Sequence, residues 1–172
     1  MRVLFFLVIA SVTSCTIKPG RTGKANKVYE TFYLGDKGTQ YFIKPLAFSS
    51  TGNEELSMDI TFRSTGQLTD TAAINVSIFS AEQIKDIKTI TFTAADVEER
   101  IMQSKLLFVQ PKKDLFESRF TIPMPSTVLE NYVASTDHKI DILTPSTNLT
   151  FTPDKRTLKQ FNALTVLLFS LF

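Results

Sequence analysis

Hydrophobic and polar residues alternate along most of the chain from Val28 onward, with the two-residue period of a β-strand. Between Leu56 and Arg63 every second residue is apolar, and the residues between them are polar or charged. Such segments cover a core with one face and meet solvent with the other. The other predicted strands are residues 28–34, 41–47, 74–78, 90–92, 106–109, 116–122, 140–142 and 149–151.

Turn-forming residues separate the predicted strands. Gly35-Asp36-Lys37-Gly38 predicts a hairpin between the first two strands, and Thr144-Pro145-Ser146 predicts a turn near the end of the chain. Because proline cannot donate to a strand ladder, we expect the prolines near strands to lie at strand ends. These prolines are Pro45, Pro111 and Pro123.

Three segments depart from the strand period and predict helices. Residues 93–96 resemble a capping box, with apolar residues following at helical spacing up to Met102. Ser126 and Thr127 are positioned to cap a short helix that runs through Val133. The segment from Pro153 to Phe172 predicts a C-terminal helix docked on the sheet, although its last ten residues are apolar enough for a buried strand.

Together these elements predict one β-rich domain over residues 28–172. We expect eight or nine strands in an antiparallel two-sheet β-sandwich, with short helices and a C-terminal helix. An α+β layered fold is the alternative.

The first fifteen residues follow a different pattern. Arg2 precedes an unbroken apolar run over residues 3–10, and Val12-Thr13-Ser14 then leads to Cys15. The run has the length of a signal-peptide core and is far shorter than the roughly 20 residues of a transmembrane helix. Cys15 is the single cysteine of the chain, so no intramolecular disulfide is possible.

This segment resembles the lipobox of bacterial lipoproteins, in which an aliphatic residue and two small residues precede a cysteine. The resemblance implies that residues 1–14 are removed as a signal peptide and that Cys15 carries lipid. Two or three acyl chains hold a protein stably at a membrane, whereas one holds it only weakly. Membrane lipid is therefore the first expected partner.

Residues 15–27 then form a flexible basic tether after the lipidated cysteine, with four basic residues and no acid. Of the 19 basic and 17 acidic residues in the chain, 14 basic and all 17 acidic residues belong to residues 28–172. The domain itself is thus slightly acidic, and we expect no nucleic-acid partner. Thr16 occupies a position where Asp commonly retains such proteins at the inner membrane, so the resemblance implies the outer membrane. Some lineages mark surface-exposed lipoproteins with acidic residues after the cysteine, and the basic tether here instead implies the periplasmic face.

Few residues suggest catalysis. The chain has one histidine, His138, beside Asp137 at a predicted turn, where a general base, a single metal ligand or an exposed turn histidine are all compatible with the sequence. We expect the exposed turn residue. There is no nucleophile elbow, phosphate-binding glycine loop or zinc pattern, so we expect no enzyme, no cofactor and no metal.

The acidic residues give little further indication of a catalytic site. Glu54 and Glu55 are predicted in a turn, and Asp59 is predicted to share a surface charge ladder with Arg63. Asp70-Thr71-Ala72 resembles the acceptor pattern of some bacterial periplasmic O-glycosylation systems, which makes Thr71 a candidate modification site. The predicted helix over 93–102 places the remaining acidic cluster on a solvated face; this cluster is Asp96, Glu98 and Glu99.

The sequence therefore predicts a membrane-anchored, non-catalytic envelope lipoprotein that acts as an interaction or accessory subunit, with a protein of the cell envelope as its partner. A carbohydrate- or small-ligand-binding module is the alternative, and a carboxylate-dependent hydrolase is a further one. The ligand-binding alternative depends on exposed aromatic residues, for which the candidates are Tyr29, Tyr33, Tyr41 and Tyr132.

Overall fold

The computed structural model describes residues 28–66 and 69–172, which form a mainly β fold with two α-helices. Ten strands were found rather than the eight or nine expected. In chain order the elements are β1 (Tyr29–Tyr33), β2 (Thr39–Ser49), β3 (Glu55–Ser64), β4 (Thr71–Ser80), β5 (Thr89–Ala94), β6 (Val97–Ile101), β7 (Lys105–Lys112), β8 (Leu115–Pro125), α1 (Ser126–Ala134), β9 (Lys139–Leu143), β10 (Asn148–Pro153) and α2 (Lys155–Leu167).

All strand pairs described are antiparallel, and the order across the sheet is β6-β5-β9-β10-β2-β3-β4-β8-β7, with β1 also paired to β2. The sheet is curled into a half-barrel, and the two-sheet sandwich expected from the sequence is not confirmed. Hydrogen bonding is continuous through β2, which pairs with β1 along residues 39–43 and with β10 at Phe48 and Ser49.

Pro45 lies inside β2 and not at a strand end, so the sequence expectation for this proline was wrong. The β2–β3 register shifts between Ile43 and Leu46, on either side of it. Such a shift accommodates a residue that cannot donate to the ladder and bends the strand locally. Pro111 and Pro123 lie within three residues of the ends of β7 and β8, as expected.

The predicted helix over residues 93–102 was also wrong, because this segment is the β5–β6 hairpin. Ala94 pairs with Val97 across the Ala95-Asp96 turn, and Ile90 pairs with Ile101. Val97 and Ile101 are four residues apart, a spacing that places two residues on one face in a strand as well as in a helix. The apolar spacing was therefore compatible with both structures.

The other two predicted helices are confirmed. In α1, Leu129, Tyr132 and Val133 face the core, although no side chain caps the first turn. Asp154 caps α2 by accepting a hydrogen bond from the Thr157 backbone N–H at 2.6 Å. The chain after α2 forms a 3₁₀ turn over Phe169–Leu171, so the alternative of a final strand is excluded.

The two helices and the inner face of the curled sheet enclose one hydrophobic core. Phe161, Leu164 and Leu168 are buried against this core, whereas Leu158 and Phe172 are about 40 % exposed. Within the described residues, no helix combines the length and hydropathy that a bilayer crossing requires.

Candidate functional site

The proposed lipidation residue Cys15 and the basic tether over residues 15–27 lie outside the described residues. The structure does show where the chain after them joins the domain. Val28 is buried, and its carbonyl oxygen accepts a hydrogen bond from the Lys44 backbone N–H at 3.0 Å. The chain therefore joins the domain at β1, beside the middle of β2.

Thr71, the candidate glycosylation residue, is the first residue of β4 and is exposed. Asp70 before it is also exposed, whereas Ala72 after it is completely buried in the core. Thr71 thus lies exposed at the start of β4, and its modification stays a prediction.

His138 is buried, which corrects the expectation of an exposed turn residue. Only 5 % of the residue is accessible, and its Nε2–H donates to the carbonyl oxygen of Tyr132 at 2.8 Å. Burial lowers the pKa of His138, while the bond to Tyr132 and the nearby Asp137 carboxylate oppose that shift in part. Asp137, just before it, has a positive φ of +56°, and no motif in the sequence indicated that His138 would be buried.

The four tyrosines proposed for ligand stacking do not form one platform. Tyr132 is completely buried, and burial raises its pKa. Tyr29 and Tyr41 are half-buried and pack against each other, with ring centroids 6.2 Å apart. Tyr33 is 63 % exposed and is the member of the four that is open to solvent.

Asp59 and Arg63 do not form the predicted surface ladder. Asp59 is buried and forms an ion pair with Arg119 on β8, whereas Arg63 is exposed. The Asn75 side-chain amide donates to the other Asp59 carboxylate oxygen at 2.9 Å, and Arg119 also donates to the Ser77 hydroxyl at 2.8 Å. These bonds cross three neighbouring strands, so they specify the alignment of β3, β4 and β8.

A second carboxylate, Glu117, extends this network to the edge strand β7. Gln110 donates to it at 3.0 Å, and the Lys112 ammonium lies 3.5 Å away. Burial raises the pKa of Glu117, but hydrogen bonds from Gln110 and Ser77, together with the charge of Lys112, outweigh burial and hold the pKa below its usual value. Both carboxylates are therefore neutralised by partners, as expected of structural groups.

A cleft of about 650 Å³ lies where three connections meet at one end of the sheet. It is lined by Glu54 before β3, by residues 80–86 after β4 and by residues 144–147 between β9 and β10. The Ser50 hydroxyl donates to the Glu54 carboxylate at 2.7 Å and lowers the pKa of Glu54. Sequence reasoning missed this cleft because no motif joins its three segments, which lie far apart in the chain.

The cleft carries more negative than positive charge. Glu54, Glu82 and Asp86 line it together with one cation, Lys85. Such a surface suits a polar or cationic small molecule. Among the described residues, no group of three or more His, Cys, Asp or Glu side chains is arranged to hold a metal ion.

A scan against protein-family models and searches of curated proteins and of solved structures returned no match to this chain.

Proposed function

We propose that this protein is a membrane-anchored lipoprotein of the bacterial envelope, attached through Cys15 to the periplasmic face of the outer membrane, whose domain binds another envelope protein without catalysing a reaction. The observation that carries the proposal is the lipobox-like segment ending at Cys15, followed by the basic tether over residues 15–27.

The position of the one histidine supports a binding role over a catalytic one. A general base must reach the proton that it removes, directly or through one water. His138 is 5 % exposed and stacks on Phe161 inside the core, which keeps it from a substrate at the surface. The two buried carboxylates, Asp59 and Glu117, are each paired with a cation.

The first test is metabolic labelling with an alkyne-bearing fatty acid, followed by in-cell cross-linking and mass spectrometry. Wild-type protein should incorporate the label and yield a discrete set of cross-linked envelope proteins. The Cys15→Ala variant should lose both. Absence of label from the wild type would refute the lipoprotein assignment, and labelled protein without cross-linked partners would refute the accessory role.

The cleft at the end of the sheet favours a second candidate function, the binding of a small polar ligand. A glycan array and a thermal-shift screen with linear polyamines would test it on the full chain. Binding through the cleft should weaken in Asp86→Asn and persist in Glu55→Gln, a control on the exposed start of β3. No binding in either screen would refute the small-ligand-binding function.

A further inference from the structure

Several of the large hydrophobic side chains that remain exposed lie around the C-terminus and the start of the domain. Five of them form what we call the C-terminal apolar patch. They are Tyr33 (63 % exposed), Val166 (69 %), Leu167 (45 %), Leu171 (61 %) and Phe172 (40 %).

Ring contacts and hydrogen bonds hold the patch together. The Tyr29 hydroxyl donates to the Leu167 carbonyl oxygen at 3.3 Å, which ties β1 to the end of α2. The Phe172 ring lies edge-on to Tyr41, with centroids 5.6 Å apart. In the β1–β2 register, Thr31 pairs with Tyr41 and Tyr33 with Thr39, so Tyr33 and Tyr41 lie on the same face as diagonal neighbours.

The exposed side of α2 continues the patch with positive charge. Lys155, Lys159, Asn162 and Val166 recur at intervals of four, three and four residues, and all are exposed. They therefore form one stripe along the helix. Arg156 adds a third exposed cation, and the helix contains no acidic residue. The stripe is thus basic where α2 begins and apolar where it ends.

This charge placement is unfavourable for the helix itself. Cations at a helix N-terminus oppose the macrodipole, which favours acidic residues there. Lys155 and Arg156 occupy the first two helical positions, and no ion pair among the described residues involves them or Lys159. The Asp154 carboxylate at the N-cap offsets part of this cost, but among the described residues no ion pair neutralises the cations of the stripe, which leaves their charges available to an external partner.

The chain before the domain identifies that partner. Tyr29, which contacts the patch, lies in β1 at the start of the domain, and residues 16–27 before it can extend no more than about 43 Å even when straight. A lipid on Cys15 would hold the patch close to a bilayer, where even weak contacts become effective because the local concentration is high. Aromatic rings and an amphipathic basic helix are the features that bind a lipid–water interface.

We propose that the C-terminal apolar patch and the basic stripe of α2 dock the domain flat against an anionic lipid surface, with α2 parallel to the membrane plane. This inference rests on the proposed lipid anchor at Cys15 and adds a fixed orientation to it. The domain would then present the opposite side of the sheet to its protein partner.

Tryptophan fluorescence offers a direct test because the chain contains no tryptophan. A Leu171→Trp variant places one reporter in the patch, and Met102→Trp places a control at a 73 % exposed apolar residue between β6 and β7. Both full-length proteins would be purified from bacterial membranes and reconstituted in vesicles of phosphatidylethanolamine and phosphatidylglycerol containing brominated lipid. Quenching of the Leu171→Trp variant should exceed that of Met102→Trp at least about twofold, since docked side chains lie about 5–10 Å inside the interface.

The basic stripe is tested in the Leu171→Trp background. Adding Lys155→Glu and Lys159→Glu should abolish most of the extra quenching, whereas Lys105→Glu on the exposed edge strand β7 should leave it unchanged. High salt should act like the stripe variants, because screening weakens contacts between exposed charges and anionic lipid. Equal quenching in all three proteins would overturn the role of the stripe.

The outcomes separate this inference from the proposed function. If the protein stays on the vesicles but both reporters are unquenched, the domain extends freely on its tether and docking is refuted, while the anchor stands. If the protein does not associate with vesicles, the anchor and the docking both fall. In the Cys15→Ala background, which lacks the proposed lipid, a blue shift of the Leu171→Trp emission in detergent-free solution, with a larger sedimentation coefficient, would show a second copy covering the patch and would also refute docking on lipid.

Discussion

His138 stacks on Phe161, with the two ring centroids 4.3 Å apart and the ring planes 28° from parallel. Tyr132 meets the same two rings edge-on, at 5.0 Å and 6.0 Å. These contacts join α1, α2 and the turn before β9 into one aromatic cluster. The histidine is therefore part of the packing that holds both helices, and its ionisation must be linked to stability.

We expect the free energy of unfolding to decrease as the pH falls from about 7.5 to 5. The folded protein resists protonation of His138 because burial lowers its pKa, whereas the unfolded chain binds the proton near the ordinary value of 6.5. The unfolded state then binds more protons, so acid favours it, with a slope of at most about 1.4 kcal/mol per pH unit. Urea unfolding at several pH values measures this slope.

The matched variant is His138→Phe, which keeps a ring on Phe161 but cannot ionise. Its stability should be nearly flat over the same pH range. The pKa values of Glu117 and Asp141 are lowered in the folded protein, and the stability that they contribute is lost only below about pH 4.5. An equal slope in wild type and variant would show that His138 is not the group responsible.

Replacing Tyr132 by Phe should stabilise the protein. The Tyr132 hydroxyl is buried, and it has no hydrogen-bond partner within residues 28–66 and 69–172. Because a buried unsatisfied hydroxyl costs free energy, its removal should raise the free energy of unfolding by about 1 kcal/mol. Tyr33→Phe, at an exposed position, is the control and should change stability by less than about 0.5 kcal/mol. A loss of stability in Tyr132→Phe would reveal a partner for the hydroxyl.

Replacing Arg119 by Met should lower the free energy of unfolding by about 2–3 kcal/mol, because it leaves the buried Asp59 carboxylate without its cation. Lys139→Met removes the cation of a more exposed pair, Lys139 with Asp141, and should cost less than about 1 kcal/mol. Denaturant unfolding of both variants gives the comparison. Similar losses would mean that burial of Asp59 does not set the strength of its ion pair.

Thr157 joins α2 to β2 through its hydroxyl, which accepts from the Ala47 N–H and donates to the Ala47 carbonyl, both at 2.9 Å. Thr157→Val keeps the shape and removes both bonds, so we expect a loss of about 1–3 kcal/mol in thermal or urea unfolding. The Thr165 hydroxyl donates to the Phe161 carbonyl oxygen in its own helix, so Thr165→Val should change stability by less than about 0.5 kcal/mol. Equal effects would show that the link to β2 is dispensable.

The elements that the sequence predicted correctly are those whose formation depends on residues close to one another in the chain. The β1–β2 hairpin around Gly35-Asp36-Lys37-Gly38 is confirmed, with Gly35 and Gly38 at positive φ. The prediction of a helix over residues 93–102 was wrong because the apolar spacing there fits both the helical period and the strand period. The pairing of Thr89–Thr93 with Lys139–Leu143 makes β5 an internal strand of the sheet, and this contact lies outside any local window.

The sequence by itself determined most of the segments that alternate as strands, the turns between them and two of the three predicted helices, because these choices depend on residues only a few positions apart. Only the tertiary structure decided that His138 is buried, that Asp59 pairs with Arg119, that loops form an end cleft and that Tyr29 meets Leu167, 138 residues later in the chain. The physical reason is that burial and pairing depend on which strands become neighbours. One strand pattern is compatible with many strand orders, so the partners of a residue emerge only when the sheet assembles.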